Sequence, residues 1–217
     1  QELEYLSLYD NLTGLPNRSL FRDRIRKEIE LGSGGFALLI VDLDRFQEIN
    51  DSLGHDAGDE LLRVVAARFA ATLEPTDTIS RMSGDEFAVL LVGVDEGQAM
   101  VRARRLLATL DATLQLAGQE VLVTAAVGVT RYPEHGHDIS VLFKHADAAM
   151  IAAKRDKSGV HLCDERVDAG GPELHGHLAL LTAPQRLGHL RHPDGHEIRL
   201  TQVGADRNVE ARLGLEL

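Results

Sequence analysis

Residues 81–90 read RMSGDEFAVL, with two adjacent carboxylates in the middle of the run. Ser83-Gly84 is a turn pair with strand character on either side (Ile79 to Met82, Phe87 to Val92), so Asp85 and Glu86 are expected at the tip of a hairpin. Turn chemistry accounts for Ser-Gly and for Asp85. It leaves Glu86 unexplained, since that residue opens an otherwise apolar strand beside a like charge. A second acidic strand end lies upstream. FALLIVDLD (36–44) is a near-continuous apolar run, the pattern of a central strand covered on both faces, and it finishes in Asp42 and Asp44. Asp42 and Asp44 are expected to point to opposite faces of the sheet, so that only one of them faces a site shared with the hairpin. Strand-end carboxylates beside a hairpin acid make the oxygen-rich surroundings that Mg²⁺ favours, completed by water and substrate phosphates. Asp42 as a helix cap and Asp85 as a turn residue would explain each acid alone. They do not explain the gathering, because a protein has little reason to collect acids without a cation.

The second cluster with chemical content is RFQEINDSLGHDAGDELL (45–62). Gly54 and Gly58 are expected to break the chain between two helices, with Asn50 and Asp59 on either side of the break. A carboxylate can accept from N1–H and the exocyclic amine of guanine while an amide meets O6 or N3; adenine lacks that donor pair. Asp59 is equally a first-turn helix acid and Asn50 equally a helix C-terminal residue, so this cluster alone leaves both readings open.

The elements that must position these residues alternate. Helix is expected over Asn17 to Glu30, with Asn17 as cap, then strand to Asp44, helix over Asp56 to Leu73 and the hairpin over Thr78 to Val92. Helix follows over Gly97 to Leu116, a long Val-rich strand over Glu120 to Tyr132, and an Ala-rich helix over Ser140 to Lys157. The pattern implies an α/β (α+β) domain, ferredoxin-like, with an antiparallel or mixed sheet, helices packed on it and an end near Leu162. Beyond it, residues 163–217 hold Gly, His, Pro and Leu without a sustained period and are expected to be a C-terminal extension. HPDGHEIRL (192–200) reads there as a turn entering a strand, and the HGH at 175–177 lacks an evident source of further metal ligands.

Composition bounds the chemistry. The 217 residues are 44% hydrophobic and 26% charged, enough apolar material for a core. A net charge of −11 argues against gripping a nucleic-acid polymer, so any nucleotide bound here is expected to be small and metal-assisted. The single cysteine, Cys163, excludes an internal disulfide and fits a reducing, cytoplasmic setting. No apolar run reaches the ~20 residues of a membrane span, and QELEYLSLYD has no signal-peptide character.

Six segments together carry a resemblance: DNLTGLPNR (10–18), DLDRFQEIND (42–51), GHDAGDELL (54–62), SGDEF (83–87), VGVTRYP (127–133) and ADAAMIAAK (146–154). In order and spacing they are similar to the GGDEF domain of bacterial diguanylate cyclases, over roughly residues 9–162. The resemblance implies a nucleotide-cyclase and polymerase-palm type of sheet and an enzyme that condenses two GTP molecules into cyclic di-GMP, each half-site of a homodimer presenting one GTP. By the same resemblance Asp42, the Leu43 carbonyl, Asp85 and Glu86 are expected to hold Mg²⁺ (or Mn²⁺), with Asp85 and Glu86 also catalytic. Asn50 and Asp59 are expected on guanine, and Ser83, Gly84 and Lys154 on the triphosphate. Residues 1–8 are expected to be the end of an upstream signalling helix, with a sensor before it and a phosphodiesterase domain after it as partners in a longer protein.

Four positions depart from the family pattern. Ser83 replaces the first glycine of the motif and would be strained if its φ were positive. Gln47 stands where lysine is usual, and Ser158 where a phosphate-binding arginine is common; Lys157 could substitute only by reaching. Glu74 replaces the arginine of the Arg-x-x-Asp product-binding site, leaving Asp77 alone, so that inhibitory site is expected to be absent. The loss of cations also admits an alternative: a catalytically weak GTP-binding module that regulates an attached domain.

Overall fold

The computed structural model describes residues 8–32 and 34–164. The expected signalling-helix end and the C-terminal extension, with its HGH and its strand at 192–200, therefore lie almost wholly outside the described residues. Within them the order is α1 (Arg18–Leu31), β1 (Phe36–Leu43), α2 (Phe46–Leu53), α3 (His55–Ala70), β2 (Thr78–Ser83), β3 (Glu86–Val92), α4 (Glu96–Ala108), β4 (Leu114–Leu116), β5 (Gln119–Val121), β6 (Ala125–Tyr132), α5 (Ile139–Asp156) and β7 (Val160–Leu162). Five strands form one mixed sheet in the order β2-β3-β1-β6-β7; all neighbours are antiparallel except the parallel pair β6-β7.

β1 is central, and its side chains divide with period two between two cores. Ala37, Leu39, Val41 and Leu43 meet Leu61, Val65 and Phe69 of α3 and Ala103 and Leu106 of α4 on one face. Phe36, Leu38 and Ile40 meet Phe21 and Ile25 of α1 and Leu142 and Ala146 of α5 on the other. Burial on both faces explains why the run is continuously apolar and why it stops at the sheet edge, where Asp42 is half-buried. α5 lies directly on β6: a Cβ added at Gly128 would come within 1.9 Å of the Ala146 carbonyl oxygen. The close approach fixes the height of α5, and so of its C-terminal lysines, over the sheet.

Helix starts follow the sequence. Asn17 caps α1 by accepting from the Ser19 and Leu20 amides, Asp138 caps α5, and Asp95 with Gln98 forms a capping box on α4. Three expectations are corrected. The helix expected to run to Leu116 ends at Ala108. The chain then follows a non-helical path held by Arg68, which donates to the carbonyls of Thr109, Ala112 and Thr113, and Leu114–Leu116 pairs with Gln119–Val121 through an Ala117-Gly118 turn. The long strand from Glu120 is two strands, because Thr124 leaves the ladder to bond Asp44. Only Gly54 separates α2 from α3; Gly58 lies buried inside α3.

Candidate functional site

The acids expected to share a site come together at one edge of the sheet. Asp42 and Glu86 are register partners across β1 and β3, and both follow the alternation that faces α1 and α5. Asp85 sits in the β2–β3 turn, its carbonyl accepting from the Leu43 amide at 3.4 Å. Lys154, near the end of α5, places its ammonium 2.5 Å from Asp42 Oδ1. Asp44 turns away: it lies past the end of β1, and its carboxylate accepts from the Thr124 hydroxyl at 2.6 Å. The expectation of opposite faces is corrected: residues two apart on a strand share a face, and the two acids part because Asp44 lies beyond the end of β1 and is held by Thr124.

Charge at this edge is uncomfortable for the bare protein. Burial, with Asp42 alongside, pushes the Asp85 carboxyl above the usual range. Burial also raises Glu86, helped by Asp147 and Asp42 and opposed by Arg18. Asp147 on α5 is raised by its own burial, against the pull of Arg18. Asp147 and Arg18 were not singled out in the sequence. A signal was available for the first: Asp147 stands seven residues, two helical turns, before Lys154, on the same face of a helix otherwise lined by alanine. Among the described residues no three carboxylates or imidazoles stand close enough to ligate an ion by themselves. What gathers at this edge is a pair of cross-strand carboxylates, Asp42 and Glu86, with Asp85 beside them in the turn.

The hairpin tip is anchored. Arg81 donates to the Gly84 carbonyl at 2.9 and 2.8 Å and to Asp10 at 3.1 Å, tying the turn to the N-terminal segment. Asp10 is drawn below the usual carboxylate range: burial opposes this, but hydrogen bonds from Thr13 and Arg81 outweigh it. Gly84 takes the positive φ of 49° that the turn needs, and Ser83 is not among the positive-φ residues, so serine sits there without the strain the sequence raised.

Asn50 and Asp59 are both half-buried, and neither side chain has a hydrogen-bond partner among the described residues. Their neighbourhood depends on Gly58, whose missing Cβ leaves room for the Asn50 amide; a methyl there would stand 1.9 Å from Asn50 Oδ1. Two partly exposed polar side chains thus flank one buried glycine. Gln47 donates to Asp51 at 2.9 Å, one turn along the exposed face of α2. Asp77, its side chain wholly buried, accepts from the Glu74 amide at 2.7 Å and is paired with Arg102 of α4, which also lies 3.7 Å from Glu74. Asp77 therefore closes a turn and has its buried charge met by the partly buried Arg102.

A mixed sheet with helices on both faces, acids at the end of its central strand and hairpin, and a lysine from the last helix above them define a palm-type nucleotide-cyclase domain. The family model described as "Diguanylate cyclase, GGDEF domain" matches residues 7–159, and the chain belongs to that family. It is 39% identical over 162 residues to "Diguanylate cyclase TpbB" of Pseudomonas aeruginosa, covering 72% of this chain and 37% of that protein. It is 38% identical over 155 residues to "Cyclic di-GMP phosphodiesterase NbdA" of the same organism, covering 70% of this chain and 20% of that protein. The crystal structure of the GGDEF domain of the YfiN or TpbB protein of P. aeruginosa superposes with a TM-score of 0.67 at 37% identity, covering 70% of this chain and 98% of that one. The chain thus spans between 20% and 37% of the length of these curated relatives. No helix among the described residues is long and apolar enough to cross a membrane.

Proposed function

We propose that this domain condenses two GTP molecules into cyclic di-GMP, one GTP held by each protomer of a homodimer. The observation that carries the reading is the pairing of Asp42 with Glu86 across β1 and β3, with Asp85 at the adjoining tip. Phosphoryl transfer asks a protein for in-line positioning and charge neutralisation more than for covalent chemistry. Asp42, Asp85, Glu86 and the Leu43 carbonyl would hold Mg²⁺ or Mn²⁺, which supplies neutralisation of the phosphates and acidification of the attacking 3′-hydroxyl. Glu86 would either complete the cation's ligands or take the proton of that hydroxyl. Lys154 exchanges its Asp42 partner for phosphate oxygens when substrate arrives. Asn50 and Asp59 orient the guanine, and Ser83 and Gly84 let the triphosphate approach the turn. Facing half-sites are required because one GTP cannot supply both phosphodiester bonds of the ring.

Asp77 is committed to Arg102, and Glu74 adds a carboxylate beside it, which supports loss of product inhibition at that point. In a longer protein, an upstream sensor and a downstream phosphodiesterase domain are the partners this reading implies; the name of the phosphodiesterase relative supports the second. That relative also favours a second reading, a GTP-binding module of weak turnover that controls an attached domain. Incubation with GTP and Mg²⁺ followed by chromatography separates the two. Cyclic di-GMP upholds the first; tight GTP binding without product, at concentrations where the protein is dimeric, upholds the second.

A further inference from the structure

Three cations stand at the acidic edge, and two of them are already engaged. Lys154 is paired with Asp42, and Arg81 is held by Asp10 and the Gly84 carbonyl. The third is Arg18, the first residue of α1. It is exposed, and its side chain makes no hydrogen bond or ion pair among the described residues. Its own helix does not require it, because Asn17 supplies the cap. A guanidinium beside carboxylates would ordinarily close a two-pronged pair with one of them.

The fold fixes where Arg18 stands. One turn further along α1, Phe21 meets the ring of Phe143 edge-on at 6.2 Å and Arg22 lies over the same ring at 5.6 Å, so the first turns of α1 rest against α5. Asp147 is one turn along α5 from Phe143. On the other side, the Pro16 carbonyl accepts from the Arg81 amide at 3.1 Å, and Arg81 is the register partner of Phe87, next to Glu86. Arg18 is thereby held near both α5 and the start of β3, and its positive charge is felt by Glu86 and by Asp147. Neither of these carboxylates accepts a hydrogen bond among the described residues.

We propose that Arg18 is a further catalytic residue of the transfer reaction, its guanidinium donating to the non-bridging oxygens of the α-phosphoryl group as that group passes from pyrophosphate to the attacking hydroxyl. The inference rests on the cyclase reading. In each transfer the 3′-oxygen of one GTP forms a bond to the α-phosphorus of the other, and the bond from that phosphorus to the α,β-bridging oxygen breaks. Pyrophosphate leaves with the electron pair, and the hydroxyl proton passes to Glu86 or to water. The moving phosphoryl group carries its negative charge on its equatorial oxygens, and an unengaged planar fork meets that charge without first breaking an ion pair. Lys154 has such a pair to break, and Gln47, turned to Asp51, carries no charge.

The test measures turnover at saturating GTP and affinity for an α,β-methylene analogue of GTP, on the whole chain at concentrations where it is dimeric. Arg18→Gln is expected to lower turnover about a hundredfold, the worth of one donor aimed at transition-state charge, with analogue affinity within about threefold of the parent. Arg18→Lys keeps the charge without the fork and is expected to recover roughly tenfold of that loss. A guanidinium that only shielded Glu86 and Asp147 would behave differently: Asp147→Asn, which removes one of the shielded acids, would restore turnover to Arg18→Gln, whereas a contact to the phosphoryl group predicts no recovery. Turnover of Arg18→Gln within about twofold of the parent, an equal loss in analogue affinity, or rescue by Asp147→Asn overturns the proposal and leaves the cyclase reading in place. A parent that binds the analogue yet makes no cyclic dinucleotide sinks the cyclase reading and this role with it.

Discussion

Replacing Gly58 with alanine tests the base site through a contact that is purely steric. The added methyl would stand 1.9 Å from Asn50 Oδ1, 3.0 Å from its Cγ and 3.3 Å from Phe46 Cζ. The first distance cannot be relaxed by tenths of an ångström, so the Asn50 amide must leave its place; the other two are tolerable. Loss of the hydrogen bonds Asn50 offers to guanine is expected to cost ~1–3 kcal/mol, or roughly five- to 150-fold in GTP affinity. Folding stability should move the other way or hold, because alanine is favoured over glycine inside a helix by ~1 kcal/mol and Asn50 can swing towards solvent. The assay is calorimetric titration with a GTP analogue, alongside thermal melting. In an Asn50→Ala background the same Gly58→Ala change should cost nothing further, since the clashing atoms are gone. Unchanged GTP affinity in Gly58→Ala, or an equal loss in both backgrounds, would refute the assignment of Asn50 to the base.

Neutralising the acidic edge should stabilise the bare protein while destroying activity. Glu86 and Asp85 have raised carboxyl pKa values, so between the unfolded value and the raised folded value the native state binds more protons than the unfolded one, and stability falls as pH rises through that window. Glu86→Gln is therefore expected to melt above the parent at pH 7, with the gap closing as pH falls below about 4; a gap that widens on acidification would contradict the burial argument. Asp85→Asn should abolish product formation with the fold intact, and near-normal turnover would remove Asp85 from the site. Activity should rise faster than linearly with protein concentration while dimers are scarce; constant specific activity across the dimer-to-monomer range would exclude facing half-sites. Arg102→Ala leaves the buried Asp77 unpaired and should cost ~3 kcal/mol in chemical denaturation. Cyclic di-GMP should not inhibit the parent, Glu74→Arg should partly restore inhibition, and tight Asp77-dependent product binding to the parent would overturn that expectation.

Much of the frame was legible in the sequence because its signals are local. The apolar run of β1 and the Asn17 cap each act within a few residues, and the structure has them as read; the hairpin is there too, with its turn one residue later, at Gly84-Asp85. What escaped depends on contacts far apart in the chain. The early end of α4 depends on Arg68 meeting carbonyls more than forty residues away. The break before β6 depends on Thr124 bonding Asp44, eighty residues upstream. Gly58 reads as a helix breaker in one dimension and proves to be a space for Asn50 in three. The seven-residue step from Asp147 to Lys154 is visible in the sequence, but its meaning depends on Asp147 lying beside Glu86, which only the fold brings about.

The central claim is that the ends of β1 and the β2–β3 hairpin form a cation and phosphate site. Anomalous scattering from a crystal soaked with Mn²⁺ and a GTP analogue measures this most directly. The expected result is a manganese peak within coordinating distance of the Asp42 and Asp85 carboxylates and the Leu43 carbonyl, bridged to the analogue's phosphates, with Lys154 released from Asp42. An analogue seated with its phosphates elsewhere, or a metal peak away from both carboxylates, would contradict it.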